Sequence, residues 1–244
     1  MLYEFPILSY FKYPISLITN VILWAFWLFL FVRNVPVEKV AFIPKSFLEK
    51  KEYWRSFTSA LSHYNILHLV MNTASAWSVK EYEIIVGKKI YLIDVLILII
   101  VSDLIYVFIE MKILKRNGEE LAVGYSGVLF GLQVLMALHN NYLNIYGLKI
   151  PWNFTPFINL IITQILIPNA SFMGHLSGII SGFLIRWHFF DWLTGKLLLN
   201  FMPWLILFYF SSYVNSNRER FSWFKFTTQK PQERTIRNGV IIDL

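Results

Sequence analysis

Charged residues along this chain are separated by long uncharged, apolar runs. Residues 13–32 lie between Lys12 and Arg33, and residues 56–79 lie between Arg55 and Lys80, with no charge inside either run. Residues 90–111 are apolar but hold Asp94, Asp103 and Glu110. Residues 121–148, 150–185 and 197–217 are again uncharged. A helix that crosses the hydrocarbon core of a bilayer needs about 20 apolar residues. The run 150–185 is too long for one such helix and carries the turn signal Pro168-Asn169-Ala170-Ser171, so it divides into two short helices. The pattern predicts six spans, at about 15–32, 57–78, 90–110, 122–139, 153–167 and 172–190. They form a membrane domain over residues 1–196. A further apolar segment, 197–214, is interfacial or a seventh span, and a polar basic tail, 215–244, follows it. The expected fold class is all-α and polytopic. The first apolar core is too long for a cleavable signal peptide and no small-residue cleavage site follows it, so it reads as an uncleaved span.

Composition strengthens this picture. Only 15% of the 244 residues are charged, while 56% are hydrophobic and 18% aromatic. Soluble domains carry about 25% charged residues. The chain has no cysteine, which excludes disulfide scaffolds, Cys-based zinc or iron–sulfur sites and a cysteine nucleophile. No cofactor or metal is expected. A net charge of +7 suggests nucleic-acid binding only until the charges are placed: they sit in loops between spans and in the tail. The lipid bilayer is therefore the expected basic-surface partner, and nucleic acid is not. The loop after the first span (33–56) and the loop after the third are richer in Lys and Arg than the loops on the other face. On loops alone the positive-inside rule slightly disfavours a cytosolic N-terminus. With six spans the basic tail shares the N-terminal face and reverses that balance. An N-in, C-in topology then holds only if 197–214 lies on the membrane, and Pro203 permits the break this needs. Two sequons, at Asn153 and Asn169, lie at membrane edges, and neither is expected to be glycosylated.

Polar residues inside spans are costly and are functional candidates by default. His68 and Asn72 are four apart and share a helix face in the second span. Their bland reading is hydrogen bonding between helices. The fourth span opens Gly124-Tyr125-Ser126-Gly127, in which a serine sits among small residues that usually mean helix packing. In the sixth, His175 sits beside Gly174, Gly178 and Gly182, a close-packing stripe. In the third span only Asp103 is deep, and such acids can line an ion or proton path.

One helical hairpin separates Asn72 from Ser126, and another separates Ser126 from His175, so the second, fourth and sixth spans start on one face and these residues can converge at one depth. For Ser126 to reach that depth, Leu121–Tyr125 must dip in extended form, with the fourth helix starting near Ser126. Backbone of that kind needs a water-lined cavity. Ser126 is the nucleophile candidate and His175 the only base placed to activate it. No carboxylate has an obvious place beside His175, which makes a dyad rather than a triad. His68, Asn72 and the Ser126 backbone N–H are candidate donors to the oxyanion of peptide-bond hydrolysis.

The ordered set Trp54-Arg55, His63-x4-His68-x3-Asn72, Gly124-Tyr125-Ser126-Gly127 and Gly174-His175-x2-Gly178 resembles the rhomboid intramembrane serine proteases over roughly residues 15–190. The resemblance implies a six-helix rhomboid bundle, with Ser126 as nucleophile and His175 as general base. It implies oxyanion support from His68 and Asn72, His63 near the site entrance, and Phe130 packed over the catalytic histidine. Residues 122–132 and 167–178 look most like the eukaryotic endoplasmic-reticulum and Golgi branch. That likeness implies an endoplasmic-reticulum or Golgi membrane location, transmembrane protein substrates and a connection to degradation machinery. The short first loop and the extra segment 197–214 depart from the branch, and its ubiquitin-binding tail element is not recognisable in 215–244. The competing readings are a catalytically silent, rhomboid-like or derlin-type client-binding protein and, from the third-span acids, a transporter. Replacing Asp103 by Asn is expected to leave proteolysis largely intact.

Overall fold

The computed structural model describes residues 11–137, 142–145, 148–151, 154–191, 195–221, 235–237 and 240–242. Helix α1 (Pro14–Val32) opens on a proline, whose fixed φ suits a first turn. Its free N-terminal amides are capped from elsewhere in the chain. The buried Glu83 carboxylate accepts from the N–H groups of Ile15 (2.9 Å) and Ser16 (2.8 Å) and from the Ser16 hydroxyl (2.8 Å). A negative group at a helix N-terminus is favourable, more so when buried. The outer face of α1, with Val21, Phe29 and Phe31, is exposed, as a lipid-facing helix requires.

Ten helices are described. After α1 come α2 (Pro44–Glu49), α3 (Arg55–Leu61), α4 (Ile66–Ser78), α5 (Glu81–Val86) and α6 (Lys88–Phe108), which ends in a π-helical turn, Ile109–Ile113. Then follow α7 (Ser126–Met136), α8 (Thr155–Leu166), α9 (Phe172–Arg186) and α10 (Gly195–Ser216). Two short antiparallel hairpins, Tyr142–Ile145 with Leu148–Pro151 and Thr235–Arg237 with Val240–Ile242, were not foreseen, but the fold is all-α. Among the described residues, α1 and the continuous Lys88–Ile113 segment are long and apolar enough to cross a membrane alone. Asn153 and most of the tail lie outside the described residues.

The second expected span is divided. Helix α3 stops at Leu61, residues 62–65 are extended or turned, and Asn65 restarts the helix by accepting from the His68 N–H at 2.8 Å. The fourth begins at Ser126; residues 121–123 approach it in extended form, but Gly124, at positive φ, and Tyr125, in the helical region, turn the chain into α7 rather than extending to it. Ala122 exchanges both main-chain hydrogen bonds with Phe42 (2.9 and 3.0 Å), and the Gly124 N–H donates to the Ser59 carbonyl (2.9 Å). The loop between α1 and α3 thus holds the approach to α7. Arg55 braces that loop internally: its guanidinium donates to the carbonyls of Ala41 (2.7 Å) and Glu38 (3.0 Å), pairs with Glu52 and lies 4.7 Å from the Trp54 ring.

Helix α7 is the centre of the bundle and packs most closely on α9 and α6. Glycines set the spacing. A Cβ at Gly178 would stand 2.0 Å from the Gly127 carbonyl oxygen, and one at Gly182 would stand 2.7 Å from that of Gly131. The stripe read from the sequence is therefore a backbone-to-backbone seam between α7 and α9.

Helix α10 continues through Pro203 without the break the sequence permits. Its second half packs on loop 1 and α3: Phe208 stacks on Tyr53 (5.3 Å between centroids), Tyr209 is edge-on to Phe57 (4.8 Å) and Tyr213 to Trp54 (5.2 Å). The Ser212 hydroxyl accepts from the Tyr53 N–H (3.1 Å) and donates to the Lys51 carbonyl. The end of α10 therefore lies against the loop that follows α1.

Candidate active site

Ser126 is the first residue of α7, and His175 lies in the first turn of α9, whose N-cap, Ser171, accepts from the Gly174 N–H at 3.1 Å. The glycine seam brings these two helix starts together, leaving Ser126 Oγ 2.8 Å from His175 Nε2. For Nε2 to accept the hydroxyl proton, Nδ1 must carry the ring hydrogen. Nδ1 is buried and, among the described residues, has no hydrogen-bond partner and no carboxylate to orient the ring. Orientation comes from packing: the Phe130 ring, one turn beyond Ser126, lies 4.6 Å from the imidazole at 34°.

His68 lies against the extended strand that leads to Ser126. A Cβ at Gly124 would come within 2.8 Å of His68 Nε2, and Gly124 has φ +117°, so glycine is required there both for space and for conformation. Asn72 is buried one turn further along α4 and donates from Nδ2 to the His68 carbonyl at 3.0 Å. A Cβ at Gly124 would lie 3.7 Å from the same Nδ2, so the Asn72 amide also borders this strand. The Ser126 and Gly127 N–H groups open α7, where helix amides have no partner within the helix. Two side chains and a helix start thus bring N–H groups to the cavity that Ser126 lines. His63 is buried with its ring 5.0 Å from that of His68 and is not among the cavity-lining residues.

All this borders one cavity of about 1100 Å³, lined by Ser126, His175, His68, Asn72, Gly124, Gly127 and Phe130. The cavity extends sideways between α4 and α8, where Leu67, Met71 and Ser75 face Asn159, Ile162 and Leu166. Two of its features were not anticipated. One is the pair Asn159–Gln133, in which the Asn159 amide donates to the Gln133 side-chain oxygen at 3.0 Å; both are polar positions inside apolar helices, the signal that singled out Asn72. The other is a polar recess formed by Ser56, Ser59, Ser102, Asp103 and Tyr106. Among the described residues no three acidic or imidazole side chains are arranged to hold a metal ion.

The family model for the rhomboid domain matches residues 50–192, which include every residue named at this site. Curated relatives include the Arabidopsis thaliana "Rhomboid-like protein 14, mitochondrial", 33% identical over 156 residues, covering 61% of this chain and 47% of that protein. The human "Rhomboid-related protein 4" is 29% identical over 147 residues, covering 56% of this chain and 46% of that protein. The Eremothecium gossypii "Rhomboid-type serine protease 2" is 27% identical over 176 residues, covering 70% and 67%. The chain matches about half the length of the first two. With a family match over more than half its residues, the chain belongs to the rhomboid family.

Proposed function

We propose that this membrane protein is an intramembrane serine protease that cleaves transmembrane protein substrates through a Ser126/His175 dyad. The observation that carries the reading is the 2.8 Å contact between Ser126 Oγ and His175 Nε2 at the edge of a large cavity. In the reaction, Ser126 Oγ attacks the scissile carbonyl carbon while His175 Nε2 takes its proton. The oxyanion forms near the Ser126 N–H, with the side chains of His68 and Asn72 as its further donors. His175 returns the proton to the departing amine and then activates the water that releases the acyl group. Phe130 keeps the imidazole in plane without an orienting acid. The cleft between α4 and α8 gives an extended segment of substrate a route from the bilayer to Ser126. A catalytically silent client-binding protein would need neither the serine nor the base, and both are present in contact.

The test is labelling by a fluorophosphonate probe, together with cleavage of a transmembrane reporter in liposomes. Wild-type protein is expected to show both activities and Ser126→Ala neither. Equal cleavage by Ser126→Ala would overturn the proposal. From the likeness of residues 122–132 and 167–178 to the branch found there, the membrane is that of the endoplasmic reticulum or Golgi, with delivery of cleaved products to degradation machinery. A tagged chain that cofractionates with mitochondria instead would refute that location.

A further inference from the structure

The three acids of α6 differ in their partners. Asp94 accepts from the Tyr82 hydroxyl at 2.7 Å, and Glu110 accepts from the Arg116 guanidinium at 3.0 and 3.3 Å, so both are tied into the structure. Asp103 has no cationic partner among the described residues. Its Oδ2 is sealed from solvent, while the residue as a whole is partly open and lines the same cavity as Ser126 and His175. From α3 it is faced by the Ser56 hydroxyl, a neutral group that Tyr209 of α10 also reaches. From α10 Tyr209 stands within electrostatic reach. From its own helix Ser102 and Tyr106 line the same recess. None of these groups is cationic, and the buried Arg55 of α3 is already committed to Glu52 and to the carbonyls of Glu38 and Ala41.

A carboxylate with no cation beside it is costly at bundle depth, and such intramembrane acids commonly mark a ligand or substrate path. The matching chemistry is a cation on a long apolar stem. Phe42 and Ile99, which line the same cavity, provide apolar surface for such a stem. We propose that Asp103 is a specificity-determining residue that receives a lysine or arginine side chain of the substrate while the scissile bond lies at Ser126. The proposal builds on the protease reading, but recognition by Asp103 does not itself require turnover.

The experiment uses a transmembrane reporter that carries Lys, Leu or Glu at each position, in turn, within four residues of the cleavage site. Cleavage is measured for wild type, Asp103→Asn and Asp103→Glu in liposomes, and reporter binding is measured in the Ser126→Ala background with and without Asp103→Asn. At one or more positions the Lys reporter should exceed the Leu reporter by about tenfold in kcat/KM. Asp103→Asn should erase that preference while leaving Leu cleavage within about twofold, and Asp103→Glu should restore part of it. A uniform loss for all reporters, or a Lys preference that survives Asp103→Asn in both cleavage and binding, would overturn the proposal. If wild type cleaves nothing but the Ser126→Ala protein binds the Lys reporter in an Asp103-dependent way, the protease reading falls and the Asp103 assignment stands.

Discussion

Single residues at this site have more than one structural duty. Gly124 supplies a left-handed turn of the backbone and the space into which the His68 ring fits. An alanine there adds strain on the order of 1–3 kcal/mol and drives a methyl group into the imidazole. Gly124→Ala should therefore lower kcat by about 10²–10³, the typical loss for one oxyanion donor. It should leave the helical circular-dichroism signal intact. Full activity in that variant would mean that His68 does not serve the oxyanion. At this scale the sequence was informative where polarity stood out from its surroundings. Ser126, His175, His68 and Asn72 are polar residues inside apolar runs and announce themselves. The partners of Arg55 do not, because the carbonyls of Ala41 and Glu38 belong to the main chain, which every residue possesses. The cap that Glu83 makes on α1 is equally silent, because Glu83 lies in a short polar stretch that reads as an ordinary loop and its partners are amides more than sixty residues away.

Among elements, the seam between α7 and α9 determines whether the nucleophile and the base meet. The four-residue glycine repeat was legible as a packing stripe, but its partner on α7 was not, since spacing along one helix does not say which neighbour it faces. The seam also ranks the glycines. Gly178→Ala places a Cβ 2.0 Å from the Gly127 carbonyl oxygen and must push the helices apart, whereas Gly127→Ala meets its nearest atom at an ordinary 3.5 Å. Overpacking of the first kind costs about 1–3 kcal/mol. Gly178→Ala should lower the melting temperature and reduce fluorophosphonate labelling together, and Gly127→Ala should change the melting temperature much less. Equal shifts for the two variants in a thermal unfolding assay would show that the seam is softer than its geometry. The division of α3 from α4 was not legible, because residues 62–65 lie inside an uncharged run with no glycine or proline to mark a break.

For the whole molecule, the direction of α10 bears on how the charged segments group. At 1.5 Å per residue its 22 residues extend about 33 Å, close to the thickness of a hydrocarbon core. The contacts of Ser212 with Lys51 and Tyr53 bring its far end to loop 1. We therefore expect 197–214 to be a seventh span, with the tail on the loop-1 side and the N-terminus on the other. Loop 1, the loop after α6 and the tail then pool their lysines and arginines on one face, which the positive-inside rule places in the cytosol. Glycosylation acceptors introduced in loop 1, after residue 221 and before residue 12 provide the check. Modification before residue 12 alone is the expected pattern, and an identical response at both ends of the chain would refute a seventh span.

The seam between α7 and α9 also has a consequence for how the protein fails. Backbone packed on backbone leaves no compliant side chain between Ser126 and His175, while α4 and α8 face each other across open space. Mechanical softness is therefore unevenly shared: in the proposed protease the chemistry rests on the stiff side and the admission of substrate on the loose one. Detergent, heat or a change of lipid will disturb admission first, so activity lost on extraction from the bilayer will be lost through KM while the serine stays reactive.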